Sequence, residues 1–132
     1  MYLLDTNIIS YWMRGDRHVI ARIKKHTPSE LFLSTITLAE ILYGIEKSSV
    51  KKIERRLKIN QILSVLGVYS FDEAAAGEYA VVRAQLEREG RIISERDTQI
   101  VSIALANKLT VITHNVKEFC RIGRLKIEDW AA

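Results

Sequence analysis

The chain has 132 residues, 48% hydrophobic and 27% charged, with a formal net charge of +4. That length and balance fit one soluble domain spanning residues 1–132, long enough to bury roughly two thirds of its unfolded surface. A lone Cys120 excludes an internal disulfide and a multi-cysteine zinc cage and suits a reducing cytoplasm, while the longest apolar run, Ile62 to Phe71, is interrupted by Ser64, Gly67 and Ser70 and is too short to span a membrane.

In chain order, a strand is expected at Tyr2 to Leu4, running straight into Asp5-Thr6-Asn7. No basic segment precedes it, so it does not read as a secretory signal. A second strand is expected at Leu31 to Ser34, followed by a helix with the apolar stripe Leu38, Ile41, Leu42 and Ile45. The segment Val50 to Leu66 also reads as helix, with Ile53, Leu57 and Ile62 facing inward and Lys51, Arg55 and Lys58 on one cationic face. That face suits either solvent or a phosphate backbone. A third strand is placed at Val68 to Phe71. Asp72 then caps a helix whose Ala75, Tyr79, Val82 and Leu86 share a face and which should stop near Gly90. Another helix begins near Arg96, and a last strand occupies Thr110 to Thr113. Strands alternating with helices argue for a mostly parallel sheet covered by helices.

Three carboxylates fall where strands end or helices begin: Asp5, Glu40 and Asp97. A fourth polar position, Asn115, follows the last strand. Each acid has a structural explanation. Asp5 can cap the helix that follows it, Glu40 completes the capping-box spacing Thr37-x-x-Glu40, and Ser94-x-x-Asp97 imitates the same box. Their joint placement argues for more. Strand ends of a parallel sheet lie along one edge, where distant residues converge, and acids gathered there need a cation. No Lys or Arg lies in the apolar strands to pair with Asp5, whereas Mg²⁺, or Mn²⁺ as the alternative, takes oxygen ligands and keeps several waters.

Four segments together resemble one known family. They are Leu4-Asp5-Thr6-Asn7, Ser34 to Gly44, Gly90 to Asp97 with the Ala-containing helix after it, and Thr113-His114-Asn115-Val116-Lys117-Glu118-Phe119. The chain is similar to PIN-domain proteins, most of all the VapC-type toxins of bacterial toxin–antitoxin pairs, over essentially its whole length. The resemblance implies a three-layer α/β/α sandwich and Mg²⁺-dependent endoribonuclease activity on cellular RNA. It also implies a cytoplasmic protein, a cognate VapB-like antitoxin and a homodimer. By it, Asp5, Glu40 and Asp97 match the family's metal-holding acids, with Glu40 acting directly or through water. Thr6, Asn7, Thr113, Asn115 and Glu118 fall to supporting or second-metal roles. The chain departs from the pattern at Asn115, which is neutral where many relatives carry a fourth acid, and Glu118 stands nearby as a substitute. Tyr11, Trp12 and Tyr43 are candidates to line an antitoxin groove or to pack between helices.

Other phosphate chemistry is disfavoured. No glycine-rich phosphate loop occurs, Asp5 lacks the second Asp two residues on that a haloacid-dehalogenase-like phosphatase needs, and the paired acids and Lys of a receiver domain are missing. Two alternatives stay open: an RNA-processing nuclease of the same family without an antitoxin, and a catalytically weak RNA-binding module.

Overall fold

A computed structural model describes residues 1 to 132. The elements run β1 (Tyr2–Leu4), α1 (Thr6–Met13), α2 (Arg17–Ile23), a 3₁₀ turn (Pro28–Glu30), β2 (Leu31–Ser34), α3 (Thr35–Glu46), α4 (Lys52–Leu63) and β3 (Gly67–Tyr69). They continue with α5 (Glu73–Glu89), α6 (Glu95–Ala106), β4 (Thr110–Ile112), α7 (Val116–Phe119) and β5 (Ile127–Glu128). All strand pairings are parallel, in the order β3-β2-β1-β4-β5. β1 therefore lies at the centre, as its uninterrupted apolar sequence requires.

Alternation along the strands divides the interior into two layers. Leu3 and Val111 pack with Ala75, Val82, Leu86, Ile100 and Ile103 of α5 and α6. Leu4 and Ile112 point the other way, against Ile8, Ile9, Ile41, Ile45, Ile59 and Ile62 of α1, α3 and α4. The result is the expected three-layer α/β/α sandwich. Trp130 closes the second layer, wholly buried with its ring stacked on His26 at 4.8 Å.

Several expectations hold closely. Asp72 caps α5 through Ala75 N–H, and α5 ends at Gly90 in the left-handed region at φ 65°. The inward face of α4 differs from the expectation. Ile53 and Leu57 are 78% and 57% exposed, while Ile59 and Ile62 are buried together with Leu66. The stripe that packs is Ile59, Ile62, Leu66, and Ile53 and Leu57 lie on the opposite side of the helix. β5 went unanticipated because two residues carry no periodicity.

The connectivity creates a seam. From β1 the chain moves outward to β2 and β3, then returns to place β4 on the other flank of β1 and β5 beyond it. Where strand order reverses, the loops after β1 and β4 diverge and leave a crevice at the carboxyl ends, the usual ligand position of an open α/β sheet. Asp5 and Thr113 are the residues that follow those two strands.

Candidate active site

Asp5 is fixed from two directions. Its N–H donates to the Ile112 carbonyl at 3.0 Å, extending the β1–β4 ladder, and its Oδ1 accepts from Ile8 N–H at 3.1 Å, capping α1. The capping explanation is therefore correct for Asp5. Thr113 is wholly buried after β4; its hydroxyl bonds the Asp5 carboxylate and accepts the Asn115 N–H at 2.9 Å.

Glu40 does not form the capping box its spacing suggested. Ser34 caps α3 instead, accepting from Thr37 N–H at 3.0 Å, so the helix begins earlier and Glu40 sits inside it. There its Oε1 accepts from the Thr6 hydroxyl at 2.8 Å and its Oε2 from Arg96 Nη1 at 3.1 Å. Those contacts join three helices. Asp97 lies in the first turn of α6, where Ser94 caps the helix by accepting Asp97 N–H at 3.1 Å. The Tyr79 hydroxyl on α5 donates to Glu95 and receives Arg83 Nη1 at 2.7 Å, which braces the α6 start beside Asp97.

Burial is the largest influence on Asp5 and pushes its pKa up to about 6, against the opposing hydrogen bond from Thr113; the negative charge of Asp97 adds to the rise. Asp97 is also raised, first by burial and then by Glu118 and Glu40, with the Ser94 hydroxyl working against them. Both carboxylates are thus raised with no lysine or arginine hydrogen-bonded to either, although the Arg96 charge works against the rise of Asp97. No three His, Cys, Asp or Glu side chains stand as a ready-made metal cage. The donor set is oxygen only, and it fits a hard divalent cation held by two carboxylates with water completing its shell.

Asp5, Thr6, Glu40, Asp97, Thr113 and Glu118 are brought to the carboxyl edge of the sheet, with Asn115 tied in through its backbone. Asn7 is exposed and offers its backbone amide to Asp5. Of the aromatic residues considered, Tyr11 and Trp12 are half-buried against the α1–α4 layer, whereas Tyr43 is 64% exposed. Sequence reasoning missed Arg96. Its adjacency to Asp97 was visible, but a bond to a residue 56 positions away leaves no local signature.

A parallel sandwich whose central strand delivers a capping Asp into an acid-lined seam defines a PIN domain, and the PIN domain family profile matches residues 2–125. The chain is 33% identical over 131 residues to the tRNA(fMet)-specific endonuclease VapC of Shigella flexneri and 35% identical over 142 residues to ribonuclease VapC2 of Rickettsia felis, in each case over 98% of both chains. Among solved structures it resembles DNA-bound VapBC from Salmonella typhimurium, with a TM-score of 0.90 and 33% identity over 98% of this chain and 97% of that one. The chain belongs to the VapC ribonucleases of the PIN-domain family. No helix in it is long and apolar enough to cross a membrane.

Proposed function

We propose that this chain is a Mg²⁺-dependent endoribonuclease, the toxin of a pair whose VapB-like antitoxin covers the acidic seam. The observation that carries the reading is Asp5: a buried carboxylate at the point of strand reversal, its pKa near 6, facing Asp97 with no basic side chain bonded to it. Such a group is costly to keep unless a cation joins it.

In this reading Asp5 and Asp97 would hold the metal, and Glu40 would position the attacking water or bind the ion through one. When bound, the ion supplies Lewis-acid activation of water and neutralises charge growing on the phosphate. Thr6 and Arg96 hold the two Glu40 oxygens and so fix the position of that carboxylate. Thr113 orients Asp5, while Asn115 and Glu118 stand at the rim as hydrogen-bonding or second-ion positions. Water is the nucleophile, so the products carry 5′-phosphate and 3′-hydroxyl ends. Solved complexes of similar proteins, such as the Salmonella VapBC, support the antitoxin partner. A homodimer in the cytoplasm completes the proposal.

The test is cleavage of total RNA by purified protein with Mg²⁺, followed by chemical mapping of the ends. Asp5→Ala and Asp97→Ala are each expected to lower the rate about a hundred- to a thousandfold, comparable to removing a principal electrostatic group from other sites. Unchanged cleavage by either folded variant, or 2′,3′-cyclic phosphate ends, would overturn the assignment.

A further inference from the structure

Three consecutive residues at the start of α6 reach three different parts of the molecule, because neighbours in a helix project about 100° apart. Glu95 turns to α5, Arg96 to α3, and Asp97 to the seam, where its charge is felt by Asp5. The turn itself has no packed side chain. Ile93 and Thr98 on either side of it are buried, whereas Ser94, Glu95 and Arg96 are exposed and Asp97 is half-buried. Helix ends fray where nothing covers them, so the aim of Asp97 depends on the polar contacts of its neighbours.

The contact to α5 is a chain of three side chains. Arg83 Nη1 donates to the Tyr79 hydroxyl at 2.7 Å, and that hydroxyl donates to Glu95 Oε1. Arg83 Nη1 also lies 3.6 Å from Glu95 Oε2, so both carboxylate oxygens are engaged. Tyr79 is fixed in turn: its ring stands edge-on to Phe71 at 5.8 Å, and Phe71 packs on the core layer of α5 and α6. On the other side Arg96 Nη1 donates to Glu40 Oε2 at 3.1 Å. The α5–α6 interface does not need the Tyr79 chain for strength. Val82, Leu86, Ile100 and Ile103 already fill it, and an ion pair such as Arg83 with Glu95, whose side chains are 54% and 58% exposed, adds little to stability. What the chain sets is a position.

We propose that Tyr79 and Glu95 are positioning residues for the cation site: with Arg83 they tether the first turn of α6 to α5, opposite the Arg96 contact with α3, and so hold Asp97 where it can share an ion with Asp5. The inference rests on the metal reading of the seam and deepens it, because it says what keeps the two acids at a working separation when only Asp5 is fixed by a strand hydrogen bond. Neither residue is a ligand in this scheme. Loss of the tether therefore lowers cation affinity while the fold and the ligands stay intact.

The test titrates Mn²⁺ into the full, metal-free chain and follows free Mn²⁺ by electron paramagnetic resonance, with no RNA present. Tyr79→Phe keeps the ring on Phe71 and changes no charge; it is expected to weaken Mn²⁺ binding about three- to tenfold, less than the loss of a partner bonded directly to a ligand. Glu95→Ala and Glu95→Gln each remove one negative charge, so the difference between them reads the tether alone. Gln still accepts from the Tyr79 hydroxyl, and Glu95→Gln should bind Mn²⁺ about threefold or more tighter than Glu95→Ala. Tyr79→Phe combined with Glu95→Ala should bind no more weakly than Glu95→Ala, since both break the same bond. Arg124→Gln removes a different bridge from the same stretch of α5, to Glu78 at 3.2 Å, and should shift Kd by less than about twofold through long-range charge alone.

Circular dichroism melts accompany each variant and are expected to stay within about 4 °C of the wild type. If Glu95→Ala fails to fold, Tyr79→Phe and Glu95→Gln are compared with the wild type, and only Tyr79→Phe should bind Mn²⁺ more weakly. Unchanged affinity in Tyr79→Phe, or equal affinity in Glu95→Ala and Glu95→Gln, would overturn the proposal. So would weakening that merely follows the loss of melting temperature across the series, Arg124→Gln included, which would leave the chain a structural role alone. Protein that loses Mn²⁺ binding on Asp97→Asn yet ignores every tether substitution defeats this inference alone. Mn²⁺ binding indifferent to both Asp5→Asn and Asp97→Asn defeats the cation reading beneath it.

Discussion

Asp5 performs two tasks with different energetic signs. As a cap it satisfies the Ile8 N–H and stabilises α1 by about 1 kcal/mol. As a buried anion it opposes folding, because its pKa of about 6 lies above the usual 3.8. A carboxylate raised in this direction costs stability wherever the folded protein must keep it ionised, at and above pH 6. The cost disappears as pH falls from 6 toward 4 and the folded protein takes up the proton. A rise of about two units corresponds to about 3 kcal/mol. Metal-free Asp5→Asn keeps the cap and removes the charge, so it should be more stable than wild type at pH 7.5 by up to about 3 kcal/mol, with a flatter pH dependence between 4 and 6. Asp5→Ala should fall about 1 kcal/mol below Asp5→Asn. Chemical denaturation of the metal-free proteins at several pH values measures both differences, and a less stable Asp5→Asn would contradict the burial argument.

At the scale of elements, the pairing of β2 with β3 depends on one absent side chain. Gly67 lies opposite Phe32, and a Cβ placed there would stand 2.7 Å from two carbons of the Phe32 ring. The ring is held in turn by Tyr69, 4.8 Å away, so it has little room to retreat. Gly67→Ala should cost about 1–3 kcal/mol and lower the melting temperature measurably, although the new residue has the better strand propensity. An unchanged melt would mean that Phe32 rotates freely. The sequence announced most elements because their signals are local: apolar runs for β1 and β2, Asp72 and Gly90 at the two ends of α5. It placed Ile62 of α4 correctly inside but misplaced Ile53 and Leu57, which look as apolar as Ile59, and only the neighbouring helices decide which residues are covered. The capping-box alternative for Glu40 fails for a similar reason. Thr37-x-x-Glu40 is a valid box, but Ser34 starts the helix three residues earlier and frees Glu40 for Thr6 and Arg96.

For the whole molecule, the proposed site would couple cation binding to folding. Asp5 and Glu40 belong to the α1–α4 side of the sheet and Asp97 to the α5–α6 side, so an unfolded chain has no assembled group of oxygens for an ion to bind. Mg²⁺ at about a hundred times its dissociation constant should therefore stabilise the wild type by about 2.7 kcal/mol. Chelator should abolish that gain, and Asp5→Asn or Asp97→Asn should show little of it. A thermal melt with and without Mg²⁺ reads the difference without any RNA present. Equal stabilisation of wild type and both variants would mean that the ion binds elsewhere. This convergence was legible in outline, since strand-end acids of a parallel sheet must share an edge. The Arg96 contact and the Tyr79–Glu95 tether were not, because they arise from the angles at which helices meet.

The assembly of one catalytic seam from both halves of the chain also sets a timetable. A nascent polypeptide that has reached Gly90 already contains Asp5 and Glu40 but lacks Asp97 and the β4 strand that presses Thr113 against Asp5. In the proposed mechanism such a fragment lacks half of the metal site and should not cut RNA. On the proposed assignment, cleavage should begin only when the last third of the protein has emerged and docked, an interval in which a waiting inhibitor can be in place first.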